Sequence, residues 1–237
     1  MDLSDPTRAI SPTLDGMILA ILAQAGRPLT VGDVASEVTR GSEIGIRKSL
    51  ARLVAQGIVR ATVMGRNRVH ELNRDHVAAP IADLLAGLRN ELWRRFREEF
   101  ASWELKPMLA MVFGSAARHD GGIDSDIDLL LVHSPFPGEK PPQGVKQGKI
   151  GVAIDVLSAV LAKSPSTPPN PSIWHRQVDV LRGHVQAWTG NRLQVVDLSY
   201  FEWQSPAPST KVLLDEIGGV RVDLFSQLLS SNSGVKA

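Results

Sequence analysis

The chain has no cysteine. That excludes disulfides, thiolate metal sites and a thiol nucleophile, and it removes any sign of an oxidising compartment. No stretch approaches the ~20 apolar residues that a membrane-spanning helix needs. The first residues, MDLSDPTRAI, are acidic and lack the basic segment and apolar run of a signal peptide. A cytoplasmic protein without a membrane segment is the expectation. Net charge is nearly absent as well, because 26 lysines and arginines stand against 25 acids. With no global field to announce a partner, the distribution of charge carries the information. There is no Gly-x-x-x-x-Gly-Lys loop, which argues against an ordinary NTPase, and no internal repeat.

What is present falls into two halves. A chain of 237 residues can hold one large domain or two small ones. From Leu14 to about Asn73 the pattern is three short helices and a hairpin. In LDGMILAILAQAG, residues Leu14, Met17, Ile18, Ile21 and Leu22 share a helical stripe that Gly26 can stop. Thr30 can cap VGDVASEVT, and Ser42 can cap EIGIRKSLARLVAQG, which carries Ile46, Leu50, Leu53 and Val54 inward and ends at Gly57. IVRATVMGRNRVHEL then has strand-forming residues on both sides of a basic GRN tip.

This order of elements resembles a winged helix-turn-helix over the whole segment, residues 1–76. Charge agrees with that resemblance: Arg40, Arg47, Lys48, Arg52, Arg60, Arg66 and Arg68 face a single acid, Glu43, between Arg40 and His70. In such modules the third helix enters the major groove and the hairpin touches neighbouring backbone. The resemblance therefore implies nucleic acid as a partner, met by Arg47, Lys48 and Arg52 on the helix and by Arg66 and Arg68 on the hairpin. Whether that is DNA or RNA stays open, and an adaptor with solvated arginines is the bland alternative.

Residues 77–105 read as a linking helix. Ile81, Leu84, Leu85, Leu88, Leu92, Phe96 and Phe100 recur at three- and four-residue steps, with arginines and glutamates opposite. Packing within its own domain is the plain reading, and a homodimer seam through the 80–104 helix is the other. Residues 106–237 form the second half. MLAMVFG and DIDLLLV suit buried strands, IWHRQVDVLRGHVQAW a helix, RLQVVDL a strand, TKVLLDEI a helix and VRVDL a strand. Prolines and glycines crowd residues 134–171 as an insertion, around a piece, KIGVAIDVLSAVLAK, with no clear boundaries.

The chemistry sits in FGSAARHDGGIDSDIDLLLV, residues 113–132. Asp126 and Asp128 are two apart on a strand and so share a face. Side by side they repel, unless a divalent cation such as Mg²⁺ or Mn²⁺ bridges them and completes its shell with substrate phosphates. A Gly-Ser turn after a buried strand offers backbone N–H groups and a hydroxyl to phosphate oxygens, with Arg118 as fixed positive charge nearby. That equipment suits phosphoryl or nucleotidyl transfer.

The same stretch resembles the signature of the DNA-polymerase-beta-like nucleotidyltransferases, in their minimal branch. Gly114, Ser115, Ala117 and Arg118 match, as do Ser125, Asp126, Ile127, Asp128 and Leu129, while His119 stands where the family usually has glycine. The resemblance implies that Gly114, Ser115, Arg118 and Ser125 hold the nucleoside triphosphate, and that Asp126 and Asp128 bind metal. It also implies a third carboxylate from a later strand. RLQVVDL offers Asp197, with Gln194 facing the other way, and Asp155 is a second candidate. If Gln194 holds the third-acid position, catalysis is weakened or lacks its base.

Other candidates are structural. Asp124 can cap its turn, His175 and His184 do not share a helix face as zinc ligands would, and Trp174 and Trp188 read as core.

The expected fold class is thus α+β with α/β: a winged helix-turn-helix, a long linking helix and a small mixed-sheet nucleotidyltransferase domain. The expected function is Mg²⁺-dependent transfer of a nucleoside monophosphate from an NTP to a hydroxyl on RNA, protein or a small molecule. The alternative is a DNA-binding regulator whose transferase-like domain senses nucleotide without turning it over.

Overall fold

The computed structural model describes residues 1–140, 169–217 and 219–226. The chain divides into two compact units, Met1–Leu92 and Trp93–Ala237.

The first unit runs α1 (Asp15–Gln24), β1 (Leu29–Thr30), α2 (Val31–Glu37), α3 (Glu43–Ala55), β2 (Val59–Met64) and β3 (Asn67–Leu72). The expected caps are in place. Thr30 and Asp33 form a reciprocal capping box on α2, and the Ser42 hydroxyl accepts from the Gly45 N–H at the start of α3. Gly65, at φ +62°, turns β2 into β3. The stripes of α1 and α3 meet the hairpin in one core, with Ile18, Leu22, Val34, Ile46, Leu50, Leu53 and Val59 buried. Two features have no counterpart in the sequence pattern. Leu29–Thr30 adds a third antiparallel strand, giving the order β1-β3-β2, and Pro6–Ala9 forms a short 3₁₀ turn. Asp5, just before that turn, is buried and accepts hydrogen bonds from Thr7 Oγ1 (2.5 Å) and Arg40 Nε (2.8 Å).

The long helix, α4, spans Ala79–Ser102 and contributes to both units. In its first-unit part Ala82 and Leu85 are buried while Ile81 and Leu84 are exposed, so the stripe read from the sequence is only half used within that unit.

The second unit runs β4 (Leu109–Phe113), α5 (Gly114–Arg118), β5 (Ile127–His133), α6 (Pro171–Thr189), β6 (Leu193–Ser199), α7 (Tyr200–Gln204), α8 (Pro208–Ile217) and β7 (Val222–Ser226). Its sheet has the order β6-β5-β4-β7, with β5 and β6 parallel and the other pairs antiparallel. Strand β5 is central. Leu129 to Val132 are fully buried, as a near-continuous aliphatic run requires when both faces of the sheet are covered. Met111, Leu130, Val132 and Leu198 face α7 and α8 through Tyr200 and Ile217. On the other face Trp174 of α6 packs against His133, and Phe100 of α4 lies near Phe225 of β7. The segment KIGVAIDVLSAVLAK, and Asp155 with it, lies outside the described residues.

Candidate functional site

The site grows from the ends of two strands. Strand β4 runs straight into α5, and the turn between them is made by Gly114 at φ +66°. A side chain there meets two obstacles. The left-handed backbone disfavours any Cβ, and a Cβ at Gly114 would collide with Asp128 Oδ2 and sit 3.2 Å from its Cγ. Phe113 is the antiparallel partner of Asp128, so the carboxylate rests directly on the glycine turn. The short helix α5 ends at His119, whose φ of +64° is the single positive value at a non-glycine among the described residues. That is where the resemblance expects glycine. Histidine fills the same left-handed position, and its backbone N–H still donates to Ser115 O.

Asp126 lies just before β5, within electrostatic reach of Asp128. Burial pushes the Asp128 carboxyl above its ordinary range, the Asp126 charge pushes it the same way, and Arg118 opposes both. The Asp128 carboxylate makes no hydrogen bond among the described residues. Asp126 is engaged at both oxygens: Oδ1 accepts from Arg192 Nε (3.3 Å) and Oδ2 from Gln194 Nε2 (3.2 Å).

Loop 119–126 is fixed from below. The Ser125 hydroxyl accepts from Gly122 N–H (2.9 Å), closing the loop on itself. Asn191, 3% exposed, donates its side-chain amide to Ile123 O (3.2 Å) and Ser125 O (2.8 Å). Its own backbone N–H donates to Thr189 Oγ1 at 3.0 Å. Asn191 therefore positions the residue before Asp126 without touching the pair. Sequence reasoning missed it, because its partners Ile123 and Ser125 lie 68 and 66 residues away. Arg192 was missed because it reads only as the start of a strand, and its partner Asp126 lies 66 residues away.

The third carboxylate is not where Asp197 was expected to bring it. Parallel pairing sets Gln194 opposite Asp128 and Asp197 opposite Leu131. Odd spacing turns Asp197 to the other face, where its Oδ2 accepts from Trp174 Nε1 at 2.8 Å. The alternation that left Gln194 facing away from Asp197 thus places the amide, and not the acid, beside the pair. Among the described residues no three acidic or histidine side chains gather as a metal cluster. The donors that fit a hard divalent cation are the Asp126 and Asp128 carboxylates and, with its amide turned, Gln194 Oε1. Arg118 donates to Asp120 Oδ2 (3.0 Å) in an exposed pair.

The basic residues of the first unit divide into two sets. Arg47 pairs with Glu43, and Arg52 pairs with Asp15 through Nε–Oδ2 (3.0 Å) and Nη2–Oδ1 (2.5 Å). Lys48, Arg66 and Arg68 are exposed and make no ion pair among the described residues. The histidines and tryptophans set aside above also have structural partners. His184 Nδ1 lies 3.0 Å from Glu99 Oε2, and Trp174 is buried.

No curated protein matches the chain. Among solved structures it is similar to human N-acetylserotonin methyltransferase in complex with SAM, at 18% identity over 40% of this chain, with a TM-score of 0.26. The chain spans only 30% of that protein, and so low a score supports no argument about fold or activity. The family model described as a nucleotidyltransferase domain matches residues 90–182. That stretch contains β4, the Gly114–Ser115 turn and the Asp126–Asp128 pair, and it stops short of Gln194. Over those residues the chain is similar to nucleotidyltransferase domains, a transferase-type module.

Proposed function

We propose that the chain transfers a nucleoside monophosphate from an NTP to a hydroxyl acceptor, with Mg²⁺ held by Asp126 and Asp128. The observation that carries this reading is the Asp128 carboxylate seated against the positive-φ turn of Gly114, with Asp126 beside it. A cation bound there would polarise the phosphoryl oxygens and offset the repulsion between the two acids. Gly114 lets backbone approach a phosphate, the Ser115 hydroxyl has no partner among the described residues, and Arg118 adds positive charge at the mouth. Ser125 acts through the loop that presents Asp126.

The first unit is the proposed nucleic-acid reader. Three helices and a hairpin support a winged-helix reading, with Lys48, Arg66 and Arg68 as phosphate contacts; Arg47 and Arg52 would join only by leaving Glu43 and Asp15. Exposed Ile81 and Leu84 on α4 support a homodimer as part of the same proposal.

Gln194 favours a second reading. An amide cannot take the proton of an attacking hydroxyl, so a site with Gln194 beside Asp128 suits a nucleotide-sensing regulator of low or no turnover. Pyrophosphate release from each NTP with Mg²⁺ and cell extract, in wild type and Gln194→Glu, separates the two. Turnover in wild type supports the transferase. Turnover only in Gln194→Glu, with NTP binding in both, supports the sensor.

A further inference from the structure

We propose that Arg192 closes the carboxylate pair against a free divalent cation and turns to the triphosphate when the cation arrives with a nucleotide, so that metal and nucleotide bind as a unit. The inference rests on the reading that Asp126 and Asp128 hold a metal–NTP complex. Its basis is the state of Asp126, whose two oxygens both face protein donors. Those donors are not equivalent. Gln194 can rotate its amide and offer Oε1 to a cation, so it changes from competitor to ligand without moving away. Arg192 cannot, because a guanidinium has no acceptor and keeps its charge at any working pH. A dication at Asp126 must displace it.

The structure makes that displacement easy. The Arg192 carbonyl accepts from Ile127 N–H at 2.8 Å, which pins the residue's backbone beside Asp126. Its side chain is 76% exposed against 27% for Asp126, and the pair is 3.3 Å long. Among the described residues only Asp126 holds the guanidinium. Once displaced, it lies next to a bound dication, and the partner that favours it there is an anion brought by the same cation. Phosphate oxygens suit its fork geometry. Free metal thus suffers the full loss of the Arg192 pair, whereas metal bound to polyphosphate replaces that pair with another. Metal and polyphosphate then raise each other's affinity by the same factor.

Binding of Mn²⁺ alone, and of inorganic tripolyphosphate with saturating Mn²⁺, tests this in wild type, Arg192→Ala and Arg192→Lys. Tripolyphosphate avoids the choice of base, and Mn²⁺ binding is read by its paramagnetic resonance. In Arg192→Ala, Mn²⁺ alone should bind about two- to five-fold more tightly, the scale of an exposed ion pair. Tripolyphosphate should bind about ten-fold or more weakly, the scale of a missing charged hydrogen bond. Arg192→Lys should restore both toward wild type. Opposite shifts in the two affinities support the proposal; no shift, or shifts in one direction, overturn it. If wild type binds Mn²⁺–tripolyphosphate and Arg192→Ala alters neither affinity, only the role of Arg192 falls. If wild type binds neither probe, the metal–NTP reading falls and this inference falls with it.

Discussion

The two units treat surplus charge in different ways. In the first, four of the seven basic residues between Arg40 and His70 are neutralised by the fold. Arg40 goes to Asp5, Arg47 to Glu43, Arg52 to Asp15 and Arg60 to Asp75, leaving Lys48, Arg66 and Arg68. In the second, the Asp128 carboxylate has no hydrogen bond among the described residues, and the Asp126 carboxylate is held there only by an exposed arginine and an amide. Positive charge left in water costs little, so the first unit loses almost nothing by exposing it. A partly buried carboxylate beside another costs more, so the second unit carries a local instability that a cation would relieve. The difference teaches where to look for function: a count of like charges says little, and two neighbouring carboxylates that share one exposed arginine say more.

Substitutions in each unit can break or sharpen that contrast. The largest effect is expected at Gly114. Gly114→Ala forces a Cβ into the left-handed region, at about 1–2 kcal/mol, and displaces Asp128. Metal-dependent NTP binding should fall by about a hundredfold or more, as for an ångström-scale misplacement of a reacting group. Titration calorimetry checks it, and retained affinity would separate the turn from the pair. Ser115→Ala should be milder. Removing one hydrogen bond to a charged group predicts a drop of about ten- to a few hundred-fold in NTP binding or turnover, without abolition. Intact mass after incubation with NTP should show no adduct on Ser115.

In the first unit the paired and unpaired cations should behave differently. Replacing Lys48, Arg66 or Arg68 with Gln should lower the slope of log affinity against log salt for duplex DNA by about 0.9 for each phosphate left without its cation. Stability should not change. Arg52→Ala should instead lower thermal stability by about 0.2–1 kcal/mol, through its pair with Asp15. Salt slopes equal to wild type in the Lys48, Arg66 and Arg68 variants would show that the exposed cations touch no phosphate.

The smallest effect concerns His70 on β3, which is 5% exposed with Nδ1 unpartnered among the described residues. Burial lowers its pKa, a hydrogen bond to the Leu29 backbone opposes that, and the Arg68 charge adds to the lowering. The unfolded chain therefore takes up a proton near pH 6.5 that the folded chain resists. The contribution of His70 is present above that pH and lost as pH falls through it. Urea midpoints should decline from about pH 7 to 5 in wild type, and less in His70→Gln.

Much of the fold was legible in the sequence, for physical reasons that can be named. The helices of the first unit follow from stripes and caps, because Thr30, Ser42 and Gly57 satisfy helix ends locally. Strand β1 was not legible, because two residues carry no periodicity and Leu29–Thr30 pairs only through β3, far along the chain. In the site, Gly114, Asp126 and Asp128 announce themselves by local pattern. The roles of Gln194 and Asp197 depend on parallel register between β5 and β6, which no local pattern encodes. Chain order favoured the acid, and register placed the amide beside the pair. Asn191 and Arg192 were hidden likewise, since their partners lie sixty-six to sixty-eight residues away.

The central claim is that the Asp126–Asp128 pair takes a divalent cation together with an NTP. Equilibrium binding of each labelled NTP, with and without Mg²⁺, in wild type and Asp126→Asn, tests it most directly. The account predicts that at least one NTP binds wild type only with Mg²⁺, and that Asp126→Asn loses this binding while unfolding at an unchanged or slightly higher temperature. NTP affinity that is the same without Mg²⁺, or the same in Asp126→Asn, would contradict it.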